Sequence, residues 1–249
     1  MMKTAILLST YRPNAVFLAE MLDSIEKQTV SAELIQRDDT ETKLGAMHSF
    51  ETLLREAEGY DCYAFADQDD VWKPEKMERL LEIMALAESR YGKQTPIVVH
   101  CDLEVVNANL ETIAKSFWRY AGLNPAMLDS NLRYLTISNC VTGCAMLLNA
   151  AAREVSLPFG KQAYMHDQWI AQSVLRNGGK VIPVNEQLVL YRQHGDNTLG
   201  AVEHRGLTLR NWGFKRKLFW QAFRAGKGIC WHTLTAFVYW KIRHLMARL

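Results

Sequence analysis

Asp67, Asp69 and Asp70 put three carboxylates within four positions, directly after the apolar run Cys62-Tyr63-Ala64-Phe65-Ala66. Acids this close repel one another unless a cation sits among them. A hard divalent ion such as Mg²⁺ or Mn²⁺ takes oxygen ligands and bridges to phosphate groups, so it is the natural counter-charge. The stretch also has a plainer use, because acids and Pro74 suit the start of a following helix. Asp38-Asp39, Asp167 and His194 are further titratable groups placed, like the cluster, at the ends of apolar segments. Singly, such residues are mostly solvated loop groups. Gathered at one edge of a sheet, they would form a site.

The elements that must position them follow from hydrophobic periodicity. Residues 6–9 read as a buried first strand, and Asn14 caps a helix with Phe17, Leu18, Met21, Leu22 and Ile25 on its apolar face. Residues 33–37 make a second strand ending at Asp38-Asp39. Ala46, Met47, Phe50, Leu53, Leu54 and Ala57 then recur at helical spacing. The 62–66 run is a short buried strand. A helix from Pro74 turns Met77, Leu80, Leu81 and Met84 inward, and residues 96–100 form another strand. Further on, residues 139–148 are strand-like with a break at Gly143. His166 and Asp167 open a helix carrying Trp169, Ile170, Ser173 and Val174, stopped by Asn177-Gly178-Gly179. Residues 180–184 and 187–191 complete the set as two short strands. Alternating strands and helices predict an α/β domain with a mostly parallel sheet flanked by helices. Ligands of such sheets bind at the C-terminal ends of strands.

At 249 residues, 49% hydrophobic and 22% charged, the composition is that of a soluble globular protein with one large domain or a domain plus an appendage. Five cysteines, an odd number without paired Cys-x-x-Cys repeats, suit a reducing compartment better than a disulfide framework. The opening apolar run is too short for a signal peptide. No stretch reaches the roughly eighteen apolar residues of a membrane span. The net charge of +2 hides an asymmetry: from His204 onward there are ten Lys or Arg and no Asp or Glu. The chain therefore divides into a body, residues 1–203, and a basic helical tail, residues 204–249.

In the tail, Trp212, Trp220, Trp231 and Trp240 alternate with Arg210, Lys215, Arg216, Lys217, Arg224 and Lys227. Leu234, Phe237, Val238, Ile242, Leu245, Met246 and Leu249 then recur on one helical face. A basic amphipathic helix with tryptophans suits peripheral attachment to an anionic membrane. Packing onto the body and formation of a homodimer are the alternatives. No recognised nucleic-acid module accompanies the basic residues, so nucleic acid is not an expected partner.

Several segments, in order, carry a family resemblance: Leu8-Ser9-Thr10-Tyr11, Arg37-Asp38-Asp39, Phe65-Ala66-Asp67-Gln68-Asp69-Asp70-Val71-Trp72, Asn139-Cys140-Val141-Thr142-Gly143-Cys144, His166-Asp167-Gln168-Trp169 and Tyr191-Arg192-Gln193-His194-Gly195. Across nearly all of residues 3–200 the chain resembles glycosyltransferase family 2, the inverting nucleotide-sugar transferases of the GT-A fold, and especially its bacterial rhamnosyltransferase-type branch. The resemblance implies that Thr10, Tyr11 and Arg12 line the nucleotide pocket, with Asp38 and Asp39 holding base or ribose. Asp67-Gln68-Asp69 would be the Asp-x-Asp motif, Asp69 the direct ligand of Mn²⁺ or Mg²⁺ with Asp67 beside it, and His194 a further ligand of the metal or of the phosphate. Arg192 would pair with the diphosphate or, alternatively, with an acid. Asp167 would be the catalytic base. Gly143, His166, Trp169 and Trp72 would border the sugar and acceptor pocket, with core packing the alternative for Trp169.

The implied reaction moves a sugar from a dTDP- or UDP-linked donor, dTDP-L-rhamnose among them, to a glycan or lipid-linked acceptor. The implied setting is cell-surface polysaccharide synthesis at the cytoplasmic face of the membrane. One departure stands out. After Asp38-Asp39 the family continues Gly-Ser-x-Asp, whereas Thr40-Glu41-Thr42-Lys43 leads here straight into Leu44-Gly45. The shortened loop leaves a second reading open, a non-catalytic nucleotide-sugar-binding or scaffold subunit of an assembly complex.

Overall fold

The computed structural model describes residues 2–128, 131–195, 201, 216, 219–220, 222–224, 226–227 and 230–246. The first half runs β1 (Thr4–Thr10), α1 (Ala15–Glu26), β2 (Glu33–Asp38), α2 (Ala46–Glu56), β3 (Cys62–Asp67), β4 (Val71–Trp72), α3 (Lys76–Tyr91) and β5 (Ile97–Val106). After β6 (Thr112–Ala114) come three short helices, α4 (Phe117–Tyr120), α5 (Pro125–Leu128) and α6 (Leu132–Ile137). A 3₁₀ turn at Gly143–Ala145 enters β7 (Met146–Asn149), followed by α7 (Ala150–Ser156), α8 (His166–Arg176) and β8 (Lys180–Arg192). Within the tail, α9 spans Leu234–Met246.

The strands form one sheet in the order β2-β1-β3-β7-β5-β8-β4, with β6 beside β5. β2, β1 and β3 pair in parallel, as do β5 and β8. β7 runs antiparallel to both β3 and β5, so it joins the two parallel blocks in a common direction. The sheet is thus mixed: the expected parallel strands are present, and β4, β6 and β7 run against them.

Alternation along β1 supplies both layers of core. Ile6 and Leu8 face Met21, Met77, Leu80 and Met84 of α1 and α3. Ala5 and Leu7 face Phe50, Leu53 and Leu54 of α2 and Ile170 and Val174 of α8. Each large apolar side chain so buried contributes about 1.5–3 kcal/mol, which fixes the register of β1 and with it the residues at its end. Asn14 accepts hydrogen bonds from the backbone N–H groups of Val16 and Phe17, the expected cap of α1.

Two strands are longer than their apolar runs. β5 continues through Asp102 because that buried carboxylate accepts bonds from the Ser116 hydroxyl, the Trp118 N–H at 3.0 Å and the Gln187 amide at 3.0 Å. The segments 180–184 and 187–191 are one strand, β8, whose pairing with β5 shifts register at Cys101–Leu103.

One face of α9 packs on α6: the Trp240 ring lies 5.4 Å from Tyr134, with the Arg133 guanidinium 4.9 Å above it. Ile137, Ala222, Trp231 and Phe237 close a small core there. Trp231 rests on Gly226, where a Cβ would come within 2.2 Å of the indole, so only glycine fits. Trp212, Arg210, Lys215, Lys217 and Leu249 lie outside the described residues, as does most of the boundary region 199–205. No helix among the described residues is long and apolar enough to cross a membrane.

Candidate active site

The common direction of β1, β2, β3, β5 and β8 sends their C-terminal ends to one edge of the sheet. Tyr11, Asp38, Asp67 and the segment after Arg192 meet there. α8 enters β8 through the stop at Asn177-Gly178-Gly179, so its first turn, with Asp167, returns to the same edge.

The centre of the site is a contact between residues 125 positions apart: Asp69 Oδ2 lies 2.7 Å from His194 Nε2. It joins the loop after β3 to the chain leaving β8, and Phe17 of α1 packs against the imidazole at 5.4 Å. Asp67 stands beside this pair. Burial, then the charges of Asp69 and Asp167, push its carboxyl up to about 7. Asp167 is itself pushed up to about 6 by burial, against the hydrogen bonds of the Gln168 and Gly143 backbones. Asp70 is fully buried; burial and the charges of Asp69 and Asp67 raise it well above the usual carboxylate range. One of its oxygens accepts the Arg192 N–H at 3.0 Å, and Oδ2 has no hydrogen-bond partner.

On the nucleotide side, the Gln68 amide clips the end of β1. It accepts from the Tyr11 N–H at 2.7 Å and donates to the Tyr11 carbonyl at 3.2 Å. The Tyr11 ring is left exposed. Arg12 takes a left-handed backbone (φ 43°) and donates its N–H to the Thr40 hydroxyl at 3.1 Å. Asp38 is exposed, and hydrogen bonds from Thr40 hold its carboxyl below the usual range.

Several expected roles change. Gln68 spends its amide on Tyr11, so it positions the pocket wall. Thr10 is buried, its hydroxyl directed to the Arg37 carbonyl at 3.4 Å. Asp39 is also buried. Its oxygens accept from the Thr42 hydroxyl and from the N–H groups of Leu44 and Gly45 at 2.9 and 2.8 Å. Burial opposes its ionisation, but those bonds outweigh it and hold the carboxyl low. Asp39 thus braces the shortened loop.

Arg192 is a buried bolt, not a diphosphate ligand. It donates to the Asp69 carbonyl at 2.7 Å and the Ala108 carbonyl at 2.6 Å, pairs with Glu20, and stacks on Phe17. The acid-pairing alternative describes it. Trp72 lies in the core under the Lys76 ammonium, 3.0 Å from the ring centroid, and so does not border the sugar pocket. Trp169 is also core, its indole N–H bonded to the Ser156 carbonyl at 2.8 Å. His166 is wedged between Phe50 and Phe65 at 4.3 and 5.0 Å, with neither ring nitrogen hydrogen-bonded. Burial pushes its imidazole down to about 3, so it stays neutral. A Cβ on Gly143 would sit 2.3 Å from that ring. Gly143 lets the 139–145 segment pass over His166 and reach Asp167.

Lys76 carries no expectation from the sequence, and Cys144 enters there only as the end of the 139–144 motif. Lys76 is fully buried and donates to the Cys144 carbonyl at 2.6 Å. Burial pushes its ammonium down to about 7, against the nearby thiols and the charges of Asp70 and Asp67. A signal was present, since Lys76, Leu80, Met84 and Ala87 share the buried face of α3. Ligand atoms of Asp67, Asp70 and Cys144 fall within 4.8 Å of one another. Burial and the neighbouring acids push the Cys144 thiol well up, so it remains protonated. What is left is a set of carboxylate oxygens and one imidazole, with an unpartnered buried oxygen on Asp70. That donor set fits a hard divalent cation.

No family model matches the sequence, and no curated protein matches it. Solved structures do share its shape. The S. aureus TarS 1–349 crystal structure aligns with a TM-score of 0.51 at 15% identity, over 76% of this chain and 60% of that one. The same segment in complex with UDP-GlcNAc aligns with a TM-score of 0.52 at 14% identity, over 89% of this chain and 67% of that one. The chain therefore has the mixed α/β fold of these TarS structures, a curled sheet flanked by helices, and spans about three-fifths of the first one's length.

Proposed function

We propose that this protein is an inverting glycosyltransferase that moves a sugar from a nucleoside diphosphate donor to a glycan or lipid-linked acceptor. The observation that carries this reading is the Asp69–His194 contact at 2.7 Å, with Asp67 beside it and Asp167 close enough to raise the Asp67 carboxyl.

Tyr11, Arg12 and Asp38 form the open wall that would receive the nucleoside. Asp67, Asp69 and His194 would hold Mn²⁺ or Mg²⁺, which when bound supplies positive charge to the diphosphate. Asp167, at the first turn of α8, accepts the proton of the acceptor hydroxyl as its oxygen attacks the anomeric carbon from the face opposite the diphosphate. The attacking C–O bond forms while the sugar–phosphate bond breaks, and the configuration inverts. A carboxyl titrating near 6 is ionised at neutral pH yet more basic than a solvated one, which suits a base. The His166 wedge and Gly143 hold that acid in place from below.

The UDP-GlcNAc bound to the similarly folded TarS segment supports a UDP-sugar as one donor class, and dTDP-L-rhamnose is the other, on the resemblance to the rhamnosyltransferase-type branch alone. Thermal-shift titration with UDP-GlcNAc, UDP-glucose, UDP-galactose and dTDP-L-rhamnose, each with and without Mn²⁺, tests the reading. Stabilisation by one nucleotide sugar that requires Mn²⁺ is expected. No shift with any of them would remove the transferase assignment.

A further inference from the structure

α9 is apolar on two sides, and the fold uses only one. Phe237, Trp240 and His244 face α6 and the small tail core. Leu234, Val238, Ile242 and Leu245 recur at intervals of four, four and three, which puts them in one stripe beside that packed face. Each is 37–51% exposed, although the helix has a full side of its own on which to bury such residues. Tyr239 and Trp220, 54% and 43% exposed, add amphipathic rings to the same tail. An exposed aliphatic stripe of this length marks a docking surface.

Charge selects the occupant. Residues 204–249 hold ten Lys or Arg and no acid, and Arg216, Arg224, Lys227 and Arg243 are exposed. A second copy would bring the same cationic segment face to face with this one, and like charges there repel. Nucleic acid would satisfy the charge but offers nothing to a Leu-Val-Ile-Leu stripe. An anionic lipid surface satisfies both, with acyl chains for the stripe, headgroups for the cations and an interfacial layer for Trp220 and Tyr239.

We infer that α9 lies in the interface of an anionic membrane, with its Leu234–Leu245 stripe immersed, and that this seats the α6–α8 flank of the body toward the lipid. The orientation follows from the packing behind α9. The helix rests on α6 through Trp240 and Tyr134, and Arg133 of α6 donates to the Cys230 carbonyl at 3.3 Å. α6 in turn is bonded to α8, where Gln172 donates to the Thr136 hydroxyl at 3.2 Å. α8 carries Asp167 at its first turn. The tail thus braces the side that holds the acid. The lipid contact stands independently of the transferase reading. Only its use, presenting a lipid-borne hydroxyl to Asp167, rests on that reading.

The test is sedimentation of the full chain with phosphatidylglycerol and with phosphatidylcholine vesicles, in the absence of any donor. Binding to the anionic vesicles, weakened at least about tenfold by the pair Val238→Glu and Ile242→Glu and by raised salt, is expected. Hydrogen exchange on the bound protein should show protection in α9 and α6 and none in residues 40–45. Equal binding to both vesicle types, or binding untouched by the double substitution, would overturn the inference. So would protection centred on residues 40–45, or a concentration-dependent dimer that the substitutions abolish. If the double variant misfolds, the lipid-type and salt dependence of the unmodified protein still decides the question. Because no sugar donor is present, failure here leaves the transferase proposal standing, and failure of donor binding leaves this one standing.

Discussion

Replacement of Asp167 by Asn exposes the base directly, because rate and stability should move in opposite senses. With a carboxyl titrating at about 6, roughly nine-tenths of Asp167 is ionised at pH 7 and about one-tenth at pH 5. Donor turnover by the unmodified protein should therefore fall about tenfold between those values. A carboxyl at its ordinary 3.8 would lose less than about a tenth over that range. Asp67, pushed up to about 7, titrates nearby, so the assay uses saturating Mn²⁺, which keeps a coordinating carboxylate ionised. Asp167→Asn should lower turnover by about 10²–10⁴-fold and leave a residual rate that is flat from pH 5 to 7. For stability the sign follows from linkage. The folded state binds this proton more tightly than the unfolded state, so the carboxylate costs nothing below 3.8 and increasingly more as pH rises to about 6. The Asn variant escapes that cost, which is at most about 3 kcal/mol. Urea unfolding should thus find the variant gaining on the unmodified protein between pH 4 and 6, then holding a constant lead. A variant that keeps turnover within about threefold, or a parent rate that is flat to pH 5, would refute the reasoning.

Asp69→Asn and His194→Ala should each weaken Mn²⁺ binding by at least about tenfold, read by Mn²⁺ paramagnetic resonance, while far-ultraviolet circular dichroism stays unchanged. Arg192→Gln removes a buried guanidinium that ties Asp69, Ala108 and Glu20 together. It should cost about 1–3 kcal/mol in denaturant unfolding; a loss below about 0.5 kcal/mol would mean the bolt is dispensable. Gly143→Ala places a methyl against His166 and should cost about 1–3 kcal/mol together with most turnover. Adding His166→Ala should return part of the stability, and no recovery would place the strain elsewhere.

How far the sequence reveals this molecule depends on what each residue packs against. β1, α1, α2, β3 and α8 were readable because their apolar residues keep a single period and their ends carry turn or cap residues such as Asn14. β5 and β8 were read short, because Asp102 and Glu186 interrupt the apolar pattern and only tertiary hydrogen bonds make Asp102 acceptable in a core strand. Asp67, Asp69, Asp167 and His194 do converge, as their places at strand ends suggested. Charge type alone could not separate a ligand-facing group from a bolt. Arg192 and Asp39 look like binding residues in the chain, yet both spend their polar atoms on the protein. Trp72 and Trp169 likewise show why an aromatic residue beside a motif is not evidence of a sugar platform when its helix or strand also needs a core side chain. Lys76 reverses the lesson, since its place on the apolar stripe of α3 was visible and its charge concealed it.

Diffraction at the manganese edge, from crystals grown with Mn²⁺ and UDP, locates the cation and the diphosphate in one experiment. One anomalous peak is expected within about 2.5 Å of both an Asp69 oxygen and His194 Nε2, with the UDP phosphates beside it and the uracil against Tyr11. A peak held instead among Asp67, Asp70 and Cys144, or UDP bound away from the strand ends, would contradict it.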